Sequence, residues 1–99
     1  MPDILFTYRR PPGPATAGTD ADVTAAWMSW FQELGDRLVE PGNPTYESRT
    51  VGAPVEGPQL GGWSVIRADG LDDAVELAKG CPVLTAGGSV EVGLITPVM

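Results

Sequence analysis

The 99-residue sequence contains no histidine. Its absence removes the commonest general base near neutral pH. It also removes imidazole ligation of zinc, copper and non-haem iron, and the usual proximal ligand of haem. Cysteine occurs once, as Cys81, so no disulfide can close within the chain. Cys81 therefore reads as a free thiol in a reducing compartment, or as a chance residue. It lies just past a predicted helix C-terminus, where the dipole disfavours a thiolate, and its one basic neighbour is Lys79. A buried, inert thiol is expected. Positive charge is scarce: 6 Lys and Arg stand against 13 Asp and Glu, a net charge of −7. That balance excludes the basic surface needed for nucleic acid or an anionic membrane. There is no long apolar run and no charged-then-apolar leader, so the expectation is a cytoplasmic protein.

What remains is enough for one domain spanning residues 1–99. A core this small buries a modest share of its surface, so association would help it. The plainest stretch is Gly61–Pro82. Trp63–Ala68 is short, apolar and bracketed by Gly61-Gly62 and Asp69-Gly70, which predicts a strand. Leu71, Ala74, Val75 and Ala78 then recur at helical spacing. Gly70 sits at the N-cap, and Asp72 and Asp73 in the first turn face the positive end of the dipole. Lys79, Gly80 and Pro82 mark the stop, with Gly80 suited to a left-handed C′ position. Val90, Val92 and Leu94 alternate with Ser89, Glu91 and Gly93, predicting a half-buried strand.

Upstream, Ile4–Tyr8 predicts a strand apolar on both faces, hence covered on both sides. Arg9–Ala21 carries too many prolines for a helix or central strand and reads as a loop, either disordered or a lid. Val23, Trp27, Trp30, Phe31, Leu34 and Leu38 form one helical stripe, capped by Thr19, Asp20 or Asp22 and ended near Gly35. Pro41–Pro44 is a turn cluster, Thr45–Val51 a polar edge strand, and Gly52–Gly62 a second loop. The order strand, helix, strand, strand, helix, strand predicts an α+β, ferredoxin-like βαββαβ fold. Its four-stranded antiparallel sheet has two helices on one face.

Taken together, Leu71-Asp72-Asp73-Ala74-Val75-Glu76-Leu77-Ala78, Cys81-Pro82 and Gly87-Gly88-Ser89-Val90-Glu91-Val92 resemble the C-terminal half of the YCII-related proteins. The likeness is greatest to the branch called DGPF-domain proteins. Trp27–Gly35 and Pro41-Gly42 resemble that family's first helix and its exit, so the likeness spans most of the chain. The name-giving motif has a faint echo in Glu56-Gly57-Pro58-Gln59, and Gly93-Leu94 stand where the family's final Arg-Pro would be. The resemblance implies a dimeric α/β barrel with a pocket on the sheet face. It also implies a regulatory partner, since the branch occurs beside sigma factors. The His-Asp dyad of the enzyme-like members cannot exist here, and Cys81-Pro82 falls where their Asp-Pro lies.

Strand phase places Leu5, Ile66 and Ile95 with Thr7, Ser64 and Glu91 on the sheet face away from the helices, a half-apolar face for a partner to cover. Thr7, Arg9, Ser64 and Glu91 form the candidate ligand pocket, with Tyr46 or Arg49 joining from the neighbouring strand. A carboxylate beside arginine there can bind a small polar ligand or move a proton, and it can equally be an ion pair that fixes a dimer. The glycine pairs lack phosphate-loop spacing, and Asp69, Asp72 and Asp73 lack calcium-loop spacing, so no metal or cofactor is expected. The expected function is a homodimer that binds a small molecule or a regulatory protein. The alternative is a cofactor-free monooxygenase, isomerase or lyase. In it Trp27, Trp30 or Trp63 line an aromatic pocket and Arg9 or Glu91 handles a proton.

Overall fold

The computed structural model describes residues 1–12 and 21–98. The proposed caps Thr19 and Asp20, and most of the proline-rich loop expected over 9–21, lie outside the described residues. Among them the chain runs β1 (Asp3–Arg10), α1 (Ala21–Leu34), a 3-10 turn (Gly35–Arg37), β2 (Leu38–Glu40), β3 (Gln59–Arg67), α2 (Leu71–Ala78), α3 (Pro82–Thr85) and β4 (Ser89–Leu94). The strands form one sheet in the order β2-β3-β1-β4, with every pairing antiparallel. This is the ferredoxin-like α+β arrangement, with the helices on one face of the sheet.

The core lies between that face and the helices. Ile4, Phe6 and Tyr8 of β1 point into it, as do Ser64 and Ile66 of β3. Trp30 stacks on Phe6 with ring centroids 6.1 Å apart, and its indole Nε1 donates to the Leu77 carbonyl at 3.4 Å. One side chain thus ties α1 to the sheet and to α2. The small buried faces of Ala74 and Ala78 let α2 approach closely. Asp73 Oδ2 accepts from the Asp69 N–H at 2.9 Å and from Arg37 at 2.8 Å. These donors, the Asp69 amide first, hold the Asp73 carboxyl below its ordinary value.

Several expectations are corrected. Leu38 is not on the helical stripe. Gly35, at φ +54, ends α1 in the left-handed conformation, and Leu38 is the first residue of β2. The strand predicted over Thr45–Val51 does not form, because Leu38–Glu40 already occupies the slot beside β3. The following segment touches the sheet through a Pro44–Gly62 bridge and a Thr45 N–H to Gly61 carbonyl bond. β3 starts at Gln59, inside the loop predicted over Gly52–Gly62. Gly80 is not left-handed; a Cβ there would lie 3.1 Å from the Trp30 indole nitrogen, so the indole would have to give by a few tenths of an ångström, and close approach is what favours glycine. Pro82 does more than stop a helix. It opens the short α3 at a first-turn position, where its missing N–H is harmless.

The strand phase of β3 is the largest correction. Phe6 pairs with Ser64 and Ile4 with Ile66, so Ser64 and Ile66 share the buried, helix-side face. The open face instead carries Leu5, Thr7 and Arg9 of β1, Trp63 and Val65 of β3, and Glu91 of β4. β1, read as covered on both sides, is covered within the chain on one.

Candidate functional site

Of the six residues read as a pocket, the structure brings three together. Thr7 pairs with Glu91, and Arg9 lies one diagonal step away, its Nε 3.5 Å from a Glu91 carboxylate oxygen. This cluster sits on the open sheet face. Arg9 and Glu91 are 32% and 68% exposed, so the pair is a weak surface contact in the free chain. Ser64 is on the other side of the sheet and fully buried. Arg49 is exposed and donates to the Ser48 carbonyl beside it. Tyr46 follows the Pro44 bridge and lies on the helix side, against a different concavity.

That concavity is the more enclosed feature, a cavity of about 610 Å³ on the helix-facing side of the sheet. Its aromatic wall comes from Tyr8, Trp27, Phe31 and Tyr46, and the Pro41–Pro44 turn closes another side. The ring contacts fix the wall. Trp27 meets Tyr8 edge-on at 4.8 Å and Phe31 at 5.9 Å. The helical stripe read from the sequence thus splits in use. Trp30 and Leu34 are buried in the core, whereas Trp27 and Phe31 are half-buried at the cavity. Trp63 borders both faces: its pairing with Thr7 puts it on the open face, and where it abuts Gly42 of the Pro41–Pro44 turn it also contributes to the lining.

Two polar features shape the cavity. Tyr8 O–H donates to Ser64 Oγ at 2.8 Å, and Ser64 Oγ–H donates to the Pro41 carbonyl at 2.7 Å. This relay joins the cavity floor to its Pro41 wall. Burial drives the Tyr8 pKa upward, only partly offset by the Ser64 bond, so Tyr8 remains a neutral phenol. The second feature is Arg10, at a β-bulge. Tyr8 pairs with Gly62 but Arg9 with Leu60, leaving Gly61 as the extra residue. The bulge sets Arg10 against the incoming loop. Its guanidinium donates to the carbonyls of Thr45 at 2.7 Å, Leu60 at 3.0 Å and Tyr46 at 3.0 Å, and to Gln59 Oε1 at 3.2 Å.

Sequence reasoning missed Tyr8, Arg10 and Phe31 as cavity residues. The period-2 alternation of Ile4, Phe6 and Tyr8, carried one step further, was the signal available for Arg10. The loop expected from Arg9 onward hid it. Cys81 is buried outside this cavity, and burial pushes its thiol up to about 12 despite a hydrogen bond from the Val83 N–H, so it is no nucleophile at neutral pH. Among the described residues no group of three or more Cys, Asp or Glu side chains could hold a metal ion. Nor is any helix among them long and apolar enough to cross a membrane.

No family model matches the sequence. No curated protein matches it either. A solved structure does match in shape. It is 5-chloro-2-hydroxyhydroquinone dehydrochlorinase (TftG) from Burkholderia phenoliruptrix AC1100, in complex with 2,5-dihydroxybenzoquinone. The two share 20% sequence identity over 93% of each chain, with a TM-score of 0.57. At that identity the likeness establishes a common fold, the ferredoxin-like α+β domain.

Proposed function

We propose that this protein is a YCII-related homodimer that binds a small, ring-bearing molecule in the cavity between α1 and the sheet. The supporting observation is the cavity itself. About 610 Å³ walled by Tyr8, Trp27, Phe31 and Tyr46 is of the size and apolar-aromatic character that holds small molecules. The dehydrochlorinase of the same fold, solved with a hydroxylated quinone, makes such a ring a reasonable first probe. Binding is favoured over proton-transfer chemistry because the lining, among the described residues, carries no carboxylate or thiol, and Tyr8 holds its proton.

The second copy covers the open sheet face in this reading. Leu5, Trp63 and Ile95 are each more than a third exposed there, flanked by Thr7 and the Arg9–Glu91 pair. That pair then orients the dimer and is not a ligand site.

Native mass spectrometry with 2,5-dihydroxybenzoquinone, alongside quenching of tryptophan fluorescence, tests both parts. A dimer that takes up one ligand per chain, recovered unchanged and lost in Trp27→Ala, supports the reading. A ligand recovered with altered mass would move the protein to the cofactor-free enzymes. A monomer would remove the dimer, and absence of uptake or quenching would remove the binding role.

A further inference from the structure

The cavity holds one formal charge among the described residues of its lining, and it is positive. Every other described lining residue is neutral; Arg10 stands alone. Four of the six basic side chains make carboxylate pairs: Arg9 with Glu91, Arg37 with Asp73, Arg67 with Asp3 and Lys79 with Glu76. Arg49 is exposed to water. Arg10 is half-buried, and its four bonded acceptors are all neutral: three backbone carbonyls and the Gln59 amide. Its Nε–H is shut off from solvent and has no acceptor. In a chain with 13 carboxylates, this half-buried guanidinium has no described one as counter-charge. Such a group costs free energy in apolar surroundings unless something negative comes to it.

We propose that the ligand of this cavity is an anion: a ring bearing one ionised oxygen group, carboxylate or acidic enol, whose charge lies at the Arg10 wall. This rests on the binding role proposed above and specifies the ligand class. The aromatic wall of Trp27, Phe31 and Tyr8 takes the ring, and Arg10 supplies the counter-charge. The guanidinium is already held by the Thr45, Tyr46 and Leu60 carbonyls, so little side-chain freedom is lost when the anion arrives. The bulge at Gly61 makes the arrangement possible by setting Arg10 between the cavity and the loop.

The test uses two probes of one shape, 2-naphthoate and 2-naphthamide, titrated into the full-length protein near neutral pH. Tryptophan fluorescence and calorimetry read the binding. The expected result is a Kd for the naphthoate lower by about tenfold or more, since a part-buried charge without a counter-ion attracts an opposite charge at close range by at least that much. Added salt should narrow the gap. In Arg10→Met the two probes should bind alike, at the affinity of the amide. Arg10 also holds the Thr45–Tyr46 loop, and the wild-type comparison and its salt dependence stand even if that variant misfolds. Equal binding of both probes to the wild type overturns the anion inference and leaves the cavity as a binding site. Tighter binding of the amide overturns it likewise, and a preference that survives in a folded Arg10→Met overturns the assignment to Arg10. If neither probe binds, the binding role falls and the ligand class with it.

Discussion

Ser64 stands where the fold and the candidate site meet, and replacing it with alanine is the sharpest probe of both. Its side chain is fully buried, accepts from Tyr8 O–H at 2.8 Å and donates to the Pro41 carbonyl at 2.7 Å. Ser64→Ala removes both bonds. Pro41 is on the surface, so its carbonyl can turn to water at little cost. The Tyr8 hydroxyl cannot do so, because Tyr8 is only 5% exposed. A buried donor left without an acceptor costs about 1–3 kcal/mol. We expect a loss of about 2 kcal/mol, or about 10 °C in Tm for a domain of this size. Tyr8→Phe keeps the ring and spares the Ser64–Pro41 bond, so it should cost about 1 kcal/mol. The double variant removes both ends of the first bond and orphans nothing in the core. It should be more stable than the sum of the single losses implies, by about 1 kcal/mol. Urea unfolding at one protein concentration, with an unchanged m-value, measures all three. Losses that add to within about 0.5 kcal/mol would refute the coupling. So would a Ser64→Ala variant as stable as the wild type, which would place Ser64 in a wet environment and reopen its assignment to the helix-side face.

Gly42 is at φ +70, and a Cβ there would run into the Trp63 carbonyl oxygen. Gly42→Ala should therefore cost at least about 2 kcal/mol and abolish probe binding, since the Pro41–Pro44 wall must move; thermal melts and fluorescence titration check it. Cys81 should resist iodoacetamide at mildly alkaline pH in the native protein and react quickly in denaturant, followed by mass spectrometry. The folded thiol keeps its proton up to about 12 against an ordinary 9.0. The unfolded thiol ionises first, so stability present below pH 9.0 should decline as pH rises towards 12. Asp73 acts in the opposite direction. Its carboxyl is held below the ordinary 3.8, so its stabilisation is present above that value and is lost as pH falls through the lower folded one. The stability gap between wild type and Asp73→Asn should thus be full at neutral pH and vanish in acid, as followed by unfolding at a series of pH values.

The pattern of Leu71, Ala74, Val75 and Ala78 delivered α2 because a helix is built from neighbours in the chain, and Asp72, Asp73 and Gly70 mark its start locally. The alternation of Val90 and Val92 delivered β4 because six residues are long enough to show a period of two. Lack of histidine was likewise decisive without coordinates, because no packing can create an imidazole. The second strand reads as Thr45–Val51 in the sequence because three residues, Leu38–Glu40, are too few to show a period. Their strand state comes from pairing with β3 and not from their own propensity.

The sequence by itself determined the order of the four strands and the two longer helices, the α+β class, the aromatic helix that faces the sheet, and the chemistry that the chain cannot perform. Tertiary structure alone decided which face each side chain serves. Ser64 and Thr7 look equivalent in their strands, yet Ser64 pairs with Phe6 and goes inward while Thr7 pairs with Glu91 and stays out. A shift of one residue in register exchanges the faces of a whole strand, and register is a relation between strands distant in sequence. The bulge at Gly61 is such a relation too. It sets Arg10 beside the Thr45–Tyr46 loop and an aromatic cavity, while Arg9, its neighbour in sequence, faces the other side of the sheet.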